Sequence, residues 1–584
     1  MKIMKKIIYI ILVTGFIFST GCADLDLNPL SEASSENWYS DEEQIEMSVK
    51  SLYYINFWRT DQDQWTDDWM DRNTLSAITG GTIDSEFSYG ANTWALAYQA
   101  IATANILISK MEKLEDGIIL QEKLDRFKGE AHFVRAYQYS VLVSHYGDVV
   151  YYENTPDIEE AYTLSRTSKN IILQKIYEDF DRAASLLKTS YAESGPSRAT
   201  KGAALALKAR IALYMGDYIT ARDAAQACMD LNIYQLNPDF QNMFLTKKAG
   251  ESIFLIPRSV ELGIFLKNSG ANLVELLSGE RLQPLSVQHY LPRNLNGFVQ
   301  NIPSWDLFSA FLCTDGLPID ESPLFNPREP FKNRDPRCTA TIVEFGTNFL
   351  GVRYQPHPDT LQVYSYLTGK KIKNNDCLTN SEYAAYNGLC WKKGIDETWT
   401  DDLTADPDKV IIRYADVLLM YAEAKIELGE LDESVLNAIN TVRARAYKVN
   451  VSQTSLYPAV TMKSQNELRK TLRIERRMEF ANEGLRYMDI IRWRLAEKVL
   501  NKNNYGILYP ISDLRNKVIS KGLWFFPMTP EIDEDGVANF DSMYEQGLIR
   551  LITSRKFDAS RQYLWPIPSK EIKINSNLIQ NPNY

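Results

Sequence analysis

Apolar side chains along residues 127–152, FKGEAHFVRAYQYSVLVSHYGDVVYY, recur at helical spacing on two stripes. Ala131, Val134, Val141, Leu142 and His145 make one; Phe133, Tyr137, Ser140 and Ser144 make the other. A helix with two such stripes is covered on two sides, which suits the middle of a stack of helical pairs. Gly129, Ala131, Ala136 and Ser140 are small enough for neighbouring helices to approach closely. Gly147 can take the left-handed conformation that ends a helix, and the β-branched and aromatic residues 149–152 read as extended.

Helical period also marks residues 41–58, 94–114 and 168–190. Residues 198–231 read as a helical hairpin turning at Gly216, with Ala209 and Ala221 where tetratricopeptide-type repeats place small residues and Tyr218 where they place an aromatic. A weaker copy covers 410–446, with Ala422, a turn at Gly429 and Ala438. The long separation of the two copies argues against a continuous solenoid. Between them, over 232–407, the period disappears into Pro, Gly, Asn and aromatic residues. A stretch this long is read as loops, short strands and short helices that carry function. A smaller irregular stretch, 59–92, is aromatic and acidic. Residues 465–500 return to a helix pair dense in arginine, punctuated by Gly484, and 563–584 follow an extended surface path set by Pro566 and Pro568. The fold expected is mainly α, helical hairpins forming a scaffold with a large irregular insertion.

Composition changes this picture little. The 584 residues are 45% hydrophobic and 24% charged, as in a folded globular chain. The net charge of −11 argues against nucleic acid as a partner and against electrostatic membrane binding. The N-terminus reads as an address: Lys2, Lys5 and Lys6, an apolar run over 7–18, then Ser19-Thr20-Gly21-Cys22. Small residues directly before a cysteine resemble the bacterial lipobox, with Ser19 where leucine is usual. Two or three acyl chains on Cys22, at ~0.8 kcal/mol per buried CH₂, would anchor the chain firmly. The division expected is therefore a signal peptide over 1–21, an acylated tether over 22–40 and a scaffold over 41–231 interrupted at 59–92. The insertion over 232–407 and a second helical part with the extended end over 408–584 complete it. Five further cysteines (Cys228, Cys313, Cys338, Cys377 and Cys390) allow at most two disulfides, of which Cys377–Cys390 closes the shortest loop. No metal site or cofactor is expected, since no cysteine pair or histidine has ligand spacing.

Several stretches taken together carry a resemblance. In chain order they are the Cys22 lipobox, Trp94, Tyr98 and Asn105, and GEAHFVRAYQYSVLVSHYGDV. RATKGAALALKARIALYMGDY follows, then Asp315-Gly316 with Asn333-Arg334-Asp335-Pro336-Arg337, and IIRYADVLLMYAEA. ERRMEFANEGLRYMDIIRW and the closing LWPIP to QNPNY complete the set. The chain resembles the SusD/RagB family of Bacteroidetes outer-membrane nutrient-binding lipoproteins. It departs at Val149-Val150, where Val-Pro is frequent, and at Asn583, where Gly is common. The resemblance implies a protein on the outer membrane, facing the medium, that captures glycan and delivers it to a SusC-like, TonB-dependent transporter. The scaffold would face the barrel and the insertion would hold ligand.

Sugar rings offer an apolar C–H face and a hydroxyl rim, so aromatic platforms beside amide and charged side chains are the expected contacts. The candidates are Trp65, Trp69, Phe87 and Tyr89 in the first irregular stretch, with Tyr290, Phe298, Trp391 and Trp399 in the second. Each platform is worth roughly 2.5 kcal/mol if half its area is covered. The remaining motifs read as scaffold: Arg473, Arg476 and Arg477 pairing with Glu475, Glu479 and Glu483 or with helix ends, and residues 333–337 as a turn whose arginines bond carbonyls. Two alternatives stay open beside glycan capture. One is peptide or glycopeptide binding. The other is glycoside hydrolysis, which needs two carboxylates about 5 to 10 Å apart, and no motif marks such a pair or any other catalytic residue.

Overall fold

Asp41 accepts the backbone N–H of Gln44 at 2.9 Å and starts helix α1 (Glu42–Ser51). The computed structural model describes residues 38–264, 266–267, 287–400 and 404–584. The signal peptide, Cys22 and the tether up to residue 37 lie outside the described residues, as do 268–286 of the insertion. The fold is mainly α. After α1 come α2 (Ser88–Glu112), α3 (Gln121–Tyr146), α4 (Lys169–Leu186), α5 (Lys201–Met215) and α6 (Tyr218–Met229). Beyond the insertion follow α7 (Tyr414–Leu428), α8 (Glu433–Ala446), α9 (Gln465–Phe480) and α10 (Arg486–Arg492).

Both hairpins turn where the sequence places them. Gly216 and Gly429 are left-handed at φ 78° and 73°, which a residue with a Cβ rarely adopts. Asp217 and Asp432 cap the helices that follow. Ala209, Ala221, Ala422 and Ala438 are buried, so the paired helices nest. The twice-striped helix is α3, packed on α2 and on α4.

One expectation is overturned. The two hairpins are far apart in sequence, yet α6 packs directly against α7, so α2 to α8 form one unbroken stack in space. The insertion is looped out between α6 and α7. Its base is tied by Ser252–Ile256 pairing antiparallel with Lys409–Arg413, so residues 410–413, expected to be helical, lie in a strand. β-branched side chains at Val410, Ile411 and Ile412 favour that outcome.

Two hydrophobic cores result. The first joins the helices of the stack; the second fills the insertion and also takes Tyr505, Ile507, Phe525, Phe526 and Ile549, which the sequence assigned to the second helical part. Helix α9 is the wall between them, giving Leu468, Leu472 and Phe480 to the first core and Met478 to the second. The C-terminal segment does not run over the surface. Trp565 and Ile567 are buried in the first core, and a short helix, Ser569–Ile574, interrupts the extended path. The five cysteines are buried free thiols. Cys377 and Cys390 do not bond each other. Each Sγ donates to a different carbonyl, of Asn374 at 3.3 Å and of Tyr290 at 3.4 Å.

Candidate functional site

The eight aromatic candidates divide by what covers them. Trp69, Tyr290, Trp391 and Trp399 are buried together in the second core. Trp69 lies 5.5 Å from both Tyr290 and Trp391, and Tyr290 lies 5.7 Å from Trp399, centroid to centroid. Trp391 is 0% exposed and has no face for a ligand. Trp65, Phe87 and Tyr89 gather around Trp565 at 5.5, 5.4 and 6.0 Å, locking the 59–92 stretch to the chain end. One face of Tyr89 is covered by the Arg59 guanidinium, 3.9 Å from the ring centroid. Both line a pocket of about 90 Å³ lined also by His145 and Tyr137. Trp65, Trp69, Tyr290, Trp391 and Trp399 are therefore buried, while Phe87 and Tyr89 are half-buried. Phe298 is the most exposed of the eight, at 41%.

What surrounds Phe298 forms a patch. The strands Trp69–Asp71 and Asn301–Pro303 pair antiparallel and bring Arg72 beside the 288–300 loop. Arg72 donates from Nη2 to the carbonyl of Phe298 and, at 2.9 Å, to that of Tyr383. Its guanidinium carbon lies 5.3 Å from the Tyr383 ring centroid and 5.8 Å from that of Tyr386. Arg550, on the strand Ile549–Ser554, continues the series, 4.3 Å from the Tyr386 centroid and 5.2 Å from that of Tyr509. Tyr386 is fixed in turn, because its carbonyl accepts the N–H of Ile507 at 2.8 Å. His289 flanks Phe298 at 5.6 Å, and Gln300 donates to both carboxylate oxygens of Asp71 at 3.2 and 3.1 Å.

Rings and cations thus alternate: Phe298, Arg72, Tyr383 and Tyr386, Arg550, Tyr509. Neither guanidinium has an ion-pair partner among the described residues, and burial lowers the pKa of both. Aromatic faces hold them in place of carboxylates, each such contact being worth about 0.5–2 kcal/mol. Tyr383 and Tyr509 are 51% and 48% exposed, so the patch presents ring faces and phenol hydroxyls to solvent. Such a surface can stack an apolar face and hydrogen-bond a polar rim. The Asp71 carboxylate at the patch is engaged by Gln300. Among the described residues no group of three His, Cys, Asp or Glu side chains could hold a metal ion.

The sequence reading missed Arg72, Tyr383, Tyr386, Tyr509 and Arg550. A signal for part of this lay in Tyr383-Ala384-Ala385-Tyr386, two tyrosines separated by small residues in a loop-rich stretch. None existed for Tyr509 and Arg550, which reach the patch only through the pairing of Asn503–Ile507 with Ile549–Ser554.

Comparison with known proteins agrees with this architecture. A family model described as "SusD family" matches residues 277–584, and one described as "Starch-binding associating with outer membrane" matches residues 25–213. SusD-like protein P2 of Formosa agariphila is 25% identical over 613 aligned positions, covering 99% of each chain. A SusD-like protein of Bacteroides ovatus is 22% identical, covering 99% of this chain and 97% of its own. Among solved structures, a SusD-like carbohydrate binding protein from Bacteroides fragilis superposes with a TM-score of 0.71 at 27% identity, over 93% of this chain and 99% of that one. A laminarin binding SusD-like protein, at 18% identity and a TM-score of 0.61 over 94% of this chain and 100% of its own, shares the fold. With its C-terminal half and more matched by the family model, and its stack and insertion laid out as in solved relatives, the chain belongs to the SusD family.

Proposed function

We propose that this protein captures oligosaccharides at the cell surface and delivers them to a SusC-like, TonB-dependent transporter, without breaking bonds itself. The observation that carries the reading is the exposed run of Phe298, Tyr383 and Tyr509 interleaved with Arg72 and Arg550. Rings stack on sugar C–H faces while guanidinium, phenol and amide groups meet the hydroxyls. Two or three platforms at roughly 2.5 kcal/mol each, less the cost of association, give millimolar to micromolar affinity. Such weak binding suits a protein that must release its ligand. The description of the N-terminal family match and the carbohydrate-binding Bacteroides fragilis relative support a glycan as ligand. Acylation of Cys22 would hold the protein to the outer membrane, facing the medium.

Affinity gels containing starch, laminarin and other glycans test this. Retardation by at least one glycan without new reducing ends is expected, and it should be lost in Phe298→Ala and Tyr383→Ala at unchanged melting temperature. No retardation with any glycan, or released sugar, would overturn the reading. The anchor is tested separately: Cys22→Ala should move the protein out of the membrane fraction.

A further inference from the structure

A groove of about 420 Å³ lies on the helical side of the molecule, between the C-terminal ends of α3 and α5, helix α10 and the C-terminal segment. It shares no residue with the aromatic patch. Four cations line it: Lys169, Arg492, Arg494 and Arg561. Among its described lining residues there is no aspartate or glutamate, in a chain whose net charge is −11. Arg492 is committed to Glu423 and Asp489, and Arg561 to Asp558. Lys169 and Arg494 are exposed and have no ion pair among the described residues. Arg494 sits at φ 58°, a conformation a side-chain-bearing residue holds only at some cost, and its guanidinium lies 4.0 Å from the Tyr563 ring centroid. The floor is apolar: Met215, Met488, Ile491, Leu564 and Pro582.

We propose that this groove docks a peptide segment of a partner protein in which acidic residues alternate with leucine-like ones. The cations on the rim match the carboxylates, and the methionine-bearing floor accommodates aliphatic side chains of varied shape. A neutral saccharide fits less well, because it offers no charge to match the rim cations. Three of the groove's polar side chains are already engaged. Asn581 donates to the carbonyls of Tyr146 and Trp565 and accepts from Arg166 at 2.6 Å; Ser560 bonds Asp558, and Ser144 bonds the Val141 carbonyl. The proposal stands apart from the glycan reading.

Fluorescence anisotropy with the purified full chain and a fluorescein-labelled peptide of alternating aspartate and leucine tests it. Binding should weaken with added salt and fall about tenfold in Lys169→Glu/Arg494→Gly. That double variant should keep its retardation by glycan, so failure here and failure of the glycan reading are distinguishable. Arg494→Gly alone relaxes the strained backbone and should still weaken peptide binding at an unchanged melting temperature. Equal binding by the double variant, equal binding of a lysine–leucine or aspartate–serine peptide, or displacement by oligoglucuronate at matched concentration would each overturn the proposal.

Discussion

Phe298 is left outside because the residues on either side are pinned. Its own N–H donates to the Gln288 carbonyl at 2.6 Å, and a Cβ on Gly297 would meet the Leu291 carbonyl oxygen at 1.9 Å. Val299 follows at φ 42°, a value that a β-branched residue adopts only under constraint. The same scale holds a titrating group. Asp63 is buried, accepts the Gly484 N–H at 2.7 Å, and leaves its other oxygen unbonded among the described residues. Burial, and then the neighbouring Asp68, push its pKa up to about 7. A carboxyl raised in the folded state favours folding most below its unfolded value of 3.8, and that contribution is lost as pH climbs towards 7, at roughly 1.4 kcal/mol per unit. Asp63→Asn keeps the acceptor and removes the charge. Thermal unfolding should show it more stable than the parent at about pH 8 and little different near pH 4; an effect of the same size at both would contradict the assignment.

At the scale of elements, α9 organises the molecule through ion pairs it does not make with itself. The sequence placed its arginines against its own glutamates or nearby helix ends. Instead Arg476 reaches Asp416 at 2.9 Å and Asp489 at 3.0 Å, while Arg477 reaches Asp67 and Asp68 at 2.8 and 2.6 Å. Glu479 accepts from Arg337 at 3.0 Å, from Arg413 at 2.7 Å and from Arg445. In the 333–337 turn, Arg334 does bond carbonyls, of Pro330, Phe308 and Phe311, but Arg337 belongs to this ion network. The reason is burial of the C-terminal half of α9: Glu475, Arg476, Arg477 and Glu479 face neighbouring elements, so their pairs run between elements. Burial alone would raise the Glu479 pKa, yet Arg445, Arg413 and Arg337 outweigh it and hold the carboxyl well below the usual range. Its stabilising contribution is therefore present above the unfolded value of 4.5 and is lost as pH falls. Glu479→Gln removes one carboxylate from three guanidiniums, each of which keeps another: Asp335 and Glu475 for Arg337, Glu251 and Glu483 for Arg413, and Glu251 for Arg445. Denaturant unfolding at neutral pH should show a loss of about 1.5–3 kcal/mol, and a change below about 0.5 kcal/mol would refute the network's importance.

For the whole molecule, the chain end works as a bolt. The Trp565 N–H donates to the His145 carbonyl at 2.6 Å, its indole donates to Tyr487 at 2.9 Å, and its ring meets Trp65, Phe87 and Tyr89. Near this closure, a Cβ on Gly484 would lie 2.2 Å from the Asp61 carbonyl oxygen, so the 59–92 stretch and the α9–α10 turn meet without room for a side chain. Removing residues 563–584 should lower the melting temperature and shift tryptophan emission to the red, as Trp65 loses its cover. An unchanged melting temperature would show that the segment is peripheral.

The helices, the Gly216 and Gly429 turns, the nesting alanines and the exclusion of 232–407 from the helical period were legible in the sequence by itself. They follow from local rules, the 3.6-residue repeat and the backbone freedom of glycine, which act within a few residues. Which rings stay accessible, which arginine meets which carboxylate, and that α6 and α7 are neighbours were decided only by the tertiary structure. Burial and ion pairing depend on surfaces that arrive from distant parts of the chain. Trp391 and Phe298 are alike on paper, and only the packing around them makes one a core residue and leaves the other exposed.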